Sequence, residues 1–401
     1  MYNLPKEWKY KKFHELFDRI TERNNRKNDN VLTISAQDGL VAQNQFFNKI
    51  VASENKSNYY FIQKGDFAYN KSYSKGYPFG AFKRLKNYDQ GIVSPLYICF
   101  RGKSNIITDF YEQYFESGYF NREINSIAQE GARNHGLLNM SLSDFYNTKL
   151  IYPTILEQKK IADILSTWDE AIDLQNKLIL QKKNLLSSLA LSLVKNHKSL
   201  VNFQSSWRKV SLNEVFFERK EYGYEDENIE LYSLTIENGV TAKTDRYNRE
   251  FLVKSDKKKY KVAKYRDLVF NPQNLRYGAI ALNYNENPVL LSPIYATLEL
   301  RDNDKYDLEY FNFLLTSKEM IKFYDSIAEG TLIERMTVKP EIFLNQEFSI
   351  PPVDEQRKIS QILMEMRNEI SLLENDIVLK KSQKKGLMQQ LLTGRIRVSL
   401  N

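Results

Sequence analysis

A single cysteine in 401 residues, Cys99, rules out an internal disulfide and any metal site built on several thiolates. Lying in the apolar run 96–100, it reads as a buried core thiol. The only histidines, His14, His135 and His197, are far apart in sequence, and no pair has metal-ligand spacing. Neither a Gly-x-x-x-x-Gly-Lys-Ser/Thr loop nor a Gly-x-Gly-x-x-Gly run is present, so the usual signs of nucleotide-phosphate and dinucleotide binding are missing. There is also no run of about 18 uncharged apolar residues, and the basic start MYNLPKEWKYKK leads into no apolar signal core. The expectation is a soluble, cytoplasmic protein. Its composition, 42% hydrophobic and 27% charged, suffices for two ordinary cores.

What is present is present twice. Residues 151–161 read IYPTILEQKKI and residues 349–359 read SIPPVDEQRKI, with Gln158 and Gln356 separated by 198 positions. Trp8, Glu15 and Phe17 answer Trp207, Glu214 and Phe216; Ser94-Pro95-Leu96-Tyr97 answers Ser292-Pro293-Ile294-Tyr295. Ser126-Ile127-Ala128 and Gly131 likewise answer Ser326-Ile327-Ala328 and Gly330. Solenoid repeats run roughly 20 to 50 residues, so this period marks a duplicated domain pair. Within the copies, strands are expected at 58–62, 67–69 and 92–100, then at 260–262, 268–270 and 289–300, between Gly, Asn and Ser turns. Helices are expected at 109–129 and 306–328. Each copy is thus an irregular α+β domain, and Tyr97 and Tyr295 belong to its fold.

The net charge of +8 is unevenly spread. Residues 56–86 hold seven Lys or Arg against Asp66, and residues 243–266 hold ten against three acids. Tyr69, Tyr73 and Tyr77 interleave the first segment, and Tyr247, Tyr260 and Tyr265 the second. Basic, aromatic-rich segments suit a polyanion.

The stretches after Pro153 and Pro351 differ in kind. Leu165, Trp168, Ile172, Gln175, Ile179, Lys182, Leu186, Leu189 and Leu193 recur at four- and three-residue steps, as do Leu363, Met366, Ile370, Leu373, Ile377 and Lys380. This is a heptad seam, begun by prolines that suit a first helical turn. Some 40 helical residues would extend on the order of 60 Å. If the two helices pack their seams together they run antiparallel and relate the copies by a pseudo-two-fold axis crossing near Lys177 and Asn375; the alternative packs each helix on its own domain. Readers held about a two-fold axis address two half-sites. Because the frame residues match while the basic and turn residues diverge, the two half-sites should differ in sequence.

The ordered set of Glu-Gln-Lys/Arg-Lys-Ile after proline, its heptad helix, Gly-Asp-Phe-Ala-Tyr-Asn at 65–70, Arg-Asp-Leu-Val-Phe-Asn at 266–271, and the 130–138 and 329–336 segments, all in two copies, resembles the specificity subunit of type I restriction-modification enzymes. The resemblance covers essentially the whole chain. It implies an α+β protein of two similar target-recognition domains, at 1–152 and 201–350, separated by antiparallel coiled-coil helices at 153–200 and 351–401. It also implies double-stranded DNA as ligand and two modification subunits docked on the helices, methylating adenine with S-adenosylmethionine. Restriction subunits using ATP and Mg would join the larger complex, and this chain would carry no cofactor and no catalytic group of its own.

Base reading needs Arg or Lys for guanine, Asn or Gln for adenine and carboxylates for cytosine. The candidates in the first copy are Asn70, Lys71, Tyr73, Lys75, Lys83, Arg84, Arg133, Asn134 and His135. In the second they are Lys257, Lys258, Lys259 and Lys261 for the backbone, with Gln273, Asn274, Arg276 and Arg335 for bases. Leu165, Trp168, Ile172, Ile179, Leu363, Met366, Ile370 and Ile377 are expected on the helix seam. Asn271-Pro272-Gln273-Asn274 partly resembles the Asn-Pro-Pro-aromatic motif of amino-methyltransferases, without its second proline, its aromatic or a glycine-rich cofactor loop. A self-contained methyltransferase or nuclease, a coiled-coil protein scaffold, and a DNA-binding decoy that occupies restriction partners remain as alternatives.

Overall fold

The computed structural model describes residues 4–25, 28–35, 37–47, 55–74, 76–128, 138–194, 207–224, 231–243, 259–330 and 336–400. The chain divides into two compact units, one of residues 1–176 and 375–401, the other of residues 177–374.

The first unit runs β1 (Lys9–Lys12), α1 (Phe13–Leu16), β2 (Phe17–Arg19), β3 (Val31–Ser35), β4 (Gly39–Ala42), α2 (Gln43–Phe47), β5 (Tyr60–Gln63), β6 (Phe67–Asn70), β7 (Ala81–Arg84), β8 (Gln90–Val93), β9 (Ile98–Gly102), α3 (Thr108–Glu116), α4 (Asn121–Ile127), α5 (Leu142–Asn147) and β10 (Lys149–Tyr152), then enters α6 (Ile155–Val194). Two four-stranded sheets, ordered β2-β9-β6-β7 and β4-β3-β8-β5, stand beside a β1-β10 ribbon. Side chains alternate across β6 and β9. Phe67 and Phe100, cross-strand partners with stacked rings 5.3 Å apart, face a core that takes in Phe13, Phe17, Phe110 and Phe115. Their neighbours Ala68 and Cys99 face a second core with Leu32, Ile62 and Val93. Burial pushes the Cys99 thiol far above its usual range, as a core thiol requires.

The second unit follows with β11 (Arg208–Ser211), α7 (Leu212–Val215), β12 (Phe216–Glu218), β13 (Tyr222–Tyr224), β14 (Tyr232–Thr235), β15 (Gly239–Ala242), β16 (Lys259–Ala263), β17 (Leu268–Phe270), β18 (Ile280–Leu282), β19 (Val289–Leu291), β20 (Ala296–Leu300), α8 (Leu308–Leu315), α9 (Lys318–Ile327), α10 (Pro340–Leu344), β21 (Glu347–Ile350) and α11 (Val353–Leu391). Its sheet β12-β20-β17-β18 repeats the order of β2-β9-β6-β7, and the β11-β21 ribbon repeats β1-β10.

Two expectations are corrected in each copy. The strands expected at 92–100 and 289–300 are each two strands, because Ser94–Tyr97 and Ser292–Tyr295 are turns: the Tyr97 and Tyr295 amides donate to the Ser94 and Ser292 carbonyls at 3.1 and 3.0 Å, and proline holds the second position. The helices expected at 109–129 and 306–328 are each broken. Gly118, with φ 76°, separates α3 from α4, and Ser317 caps α9 after α8 has ended.

The 40-residue α6 and the 39-residue α11 run antiparallel. In the first unit Asp169 meets Lys384 and Gln175 meets Asp376 and Lys380; in the second Lys182 meets Glu369. Of the seam residues, Leu165, Ile172, Ile179, Leu363, Ile370 and Ile377 are buried, and Trp168 and Met366 are half-buried. Among the described residues no helix is long and apolar enough to cross a membrane.

One repeated device fixes each long helix to its domain. The buried Gln158 side chain donates to the Pro153 carbonyl at 2.9 Å and accepts from the Ile107 amide, just before α3, at 2.9 Å. Gln356 does the same with the Pro351 carbonyl at 2.8 Å and the Asp307 amide, just before α8, at 2.9 Å. Each glutamine thereby satisfies one backbone group on each of two helix starts, groups that have no partner within their own helices.

Candidate nucleic-acid interface

In the first unit the basic segment folds as β6, a loop and β7. The segment enters β6 through a turn whose Asp66 carboxylate accepts the Gln63 amide at 2.7 Å and pairs with Arg101 at 2.6 Å. Asn70 ends β6, and its side-chain oxygen accepts the Ser72 amide at 3.1 Å, which bends the chain outward. Lys71 is half-buried, and Tyr73 is 64% exposed at the outside of the loop. The loop returns through Gly80, whose φ is 79° and where a Cβ would stand 2.2 Å from the Asn70 carbonyl oxygen. Only glycine fits there.

The next two candidates are held by carboxylates. Lys83 is buried and bonds Glu116 and the Tyr77 hydroxyl, which itself donates to Glu116 at 2.9 Å. Arg84 binds Thr108 at 2.9 Å, Asp109 at 2.5 Å and Glu112 at 3.1 Å. Both cations therefore tie β7 to α3. Lys75, Arg133, Asn134 and His135 lie outside the described residues.

The second unit repeats the design with different chemistry. Asp267 accepts the Lys264 amide at 2.8 Å and pairs with Arg219 at 2.9 Å. Asn271 accepts the Gln273 amide at 3.0 Å, which turns Gln273 and Asn274 into solvent. Arg276 is largely covered, paired with Asp325 at 3.1 Å and lying 5.0 Å over the Tyr277 ring. Lys259 is exposed at the start of β16, whereas Lys261 is buried against Glu218 at 2.9 Å with its ammonium over the Tyr222 ring. Lys257, Lys258 and Arg335 lie outside the described residues.

The structure thus leaves Lys71 and Tyr73 in the first unit, and Lys259, Gln273 and Asn274 in the second, open for contact. It commits Lys83, Arg84, Lys261 and Arg276 to intramolecular partners. Sequence reading missed Arg19, exposed on β2 outside the basic segment; its one signal is that the matching residue of the second copy is Glu218. Among the described residues no group of three or more His, Cys, Asp or Glu is placed to hold a metal ion.

Residues 5–184 match the family model described as the type I restriction modification DNA specificity domain. That match takes in the first domain and most of the long helix that follows it. A relative in Methanocaldococcus jannaschii, the type I restriction enzyme MjaVIII specificity subunit, is 26% identical over 328 residues, covering 77% of this chain and 75% of its own. Among solved structures, the fold matches a chain from work on complex assembly and conformational transition of the type I R-M system, with TM-score 0.60, 17% identity and 99% and 100% of the two chains covered. It also matches the type I restriction-modification S subunit from M. genitalium, with TM-score 0.56, 15% identity, and 97% and 96% covered. These likenesses establish the specificity-subunit fold of two α+β domains and two long helices.

Proposed function

We propose that this chain is the specificity subunit of a type I restriction-modification enzyme and reads a bipartite DNA site with unlike halves, one half through each target-recognition domain, at 1–152 and 201–350. The observation that carries this reading is the pairing of a shared frame with unlike loops. Asn70 and Asn271 make the same turn, yet Asn70 introduces Lys71 and Tyr73 while Asn271 introduces Gln273 and Asn274. Glutamine and asparagine can pair with adenine, and lysine can take guanine or phosphate.

The helices at 153–200 and 351–401 set the spacing between the half-sites and dock two modification subunits. Those partners bind S-adenosylmethionine and methylate an adenine swung out of the stack. Restriction subunits, with ATP and Mg, complete the assembly. The chain itself supplies recognition and no catalytic group, and it acts in the cytoplasm on double-stranded DNA. Support for a non-catalytic role comes from the commitment of its buried charges to each other rather than to an open cleft.

Genome-wide mapping of methylated adenines tests this. Deleting the gene should abolish methylation at one bipartite motif with dissimilar halves. A motif lost as a palindrome, or methyl transfer by the purified chain alone, refutes the reading.

A further inference from the structure

Beside the open loop of the first unit lies a cavity of about 120 Å³ between β2, β9 and α5, lined by Arg19, Tyr60, Lys71, Tyr97 and Leu142 among others. A single water needs only about 10–15 Å³, so the cavity has room for a tetrahedral anion. Arg19 is exposed and Lys71 half-buried, and neither has an ion-pair partner among the described residues.

The corresponding residues of the second unit carry different chemistry. Tyr60 faces Val93, just before Ser94, and Lys261 faces Leu291, just before Ser292, so Tyr60 and Lys261 correspond. Arg19, facing Phe100, corresponds to Glu218, facing Leu298. Lys71 and Pro272 correspond as well, because each follows the turn asparagine and each carbonyl accepts a matching amide, Leu138 at 3.1 Å and Val338 at 2.9 Å. Where the first unit has two cations without an ion-pair partner among the described residues, the second has the Glu218–Lys261 ion pair at 2.9 Å and a proline.

We propose that the first unit's cavity seats one DNA backbone phosphate, held by Arg19 and Lys71, and that the corresponding residues of the second unit do not form such a seat. The assignment rests on the DNA-reading function, and it makes the grip on the two half-sites unequal. The chain's affinity for duplex DNA, followed by fluorescence anisotropy from 50 to 200 mM salt, tests it. One phosphate contact contributes about 0.9 to the slope of log affinity against log salt, so Arg19→Glu should lose roughly 3.5-fold less affinity than wild type over that range. The change should be equal on cognate and scrambled duplexes, because phosphates carry no sequence. Arg19→Gln, which removes the cation without adding a carboxylate, keeps the test open if Arg19→Glu does not fold.

Inorganic phosphate, titrated by calorimetry, separates the sources. Uptake by wild type that Arg19→Glu abolishes, together with the reduced slope, supports the proposal. An unchanged slope, or an effect confined to the cognate duplex, overturns it. Wild type that takes up inorganic phosphate but binds no duplex refutes the DNA-reading function, and the cavity is then a site for free phosphate.

Discussion

The paired glutamine clamps allow a sharp prediction. Gln158→Ala strands the Ile107 amide and the Pro153 carbonyl, each bonded at 2.9 Å in the native fold, at a position buried from solvent. Each stranded buried group costs about 1–3 kcal/mol, so the substitution should destabilise the first unit by about 3 kcal/mol. At about 1.4 kcal/mol per factor of ten, that corresponds to roughly a hundredfold faster amide exchange in the core of that unit. Hydrogen exchange read by mass spectrometry resolves the two units separately, as is needed when a chain of two units cannot be treated as two-state. Gln356→Ala should produce the mirror result in the second unit. The double variant should be additive, since the clamps share no partner. Gln158→Met keeps the volume but removes both hydrogen bonds, so it should cost nearly as much as alanine. Full recovery with methionine, or acceleration below tenfold, would show that packing and not the hydrogen bonds fixes the helix.

Three further outcomes follow from the same geometry. Gly80→Ala forces a Cβ to within 2.2 Å of a backbone oxygen at φ 79°, which should cost about 3 kcal/mol by urea unfolding and displace the 71–79 loop. Gln273→Ala should weaken the cognate duplex by about 1–3 kcal/mol and leave scrambled duplexes unchanged, whereas Lys259→Ala should weaken both alike, read by anisotropy. For Glu157, burial works against the charged form, but hydrogen bonds from Arg397, Thr154 and Trp8 outweigh it and hold the carboxyl below its usual value. Its contribution is therefore complete above the unfolded value of about 4.3 and lost as pH falls through the folded one, so Glu157→Gln should flatten the acid limb of a melting-temperature profile.

The duplication, the α+β character of each copy and both long helices were legible because they leave periodic or repeated marks on the sequence. The Glu-Gln motif was visible as a marker, but its role was hidden: the partners of Gln158 and Gln356 are backbone amides at Ile107 and Asp307, about fifty positions upstream. Composition flagged Lys83 and Arg84 as basic without revealing that Glu112 and Glu116, one helical turn apart on α3, neutralise them. The Ser-Pro segments read as strand because apolar residues flank them, although proline at the second position of a turn argues the other way. Arg19 escaped notice because a lone arginine in a strand has no compositional signature. Only its replacement by Glu218 in the other copy marks it.

The first unit takes Met388, Leu391 and Leu392 into its core and Arg397 onto Glu157, so it is built from both ends of the sequence. During synthesis its N-terminal portion must wait for more than two hundred further residues, on the order of 10–40 s at about 5–20 residues per second, before that core can close. The second unit is contiguous and meets no such delay. The lobe begun first on the ribosome is therefore the one finished last, and a nascent chain cut short before residue 388 would carry one completed reader and one left open.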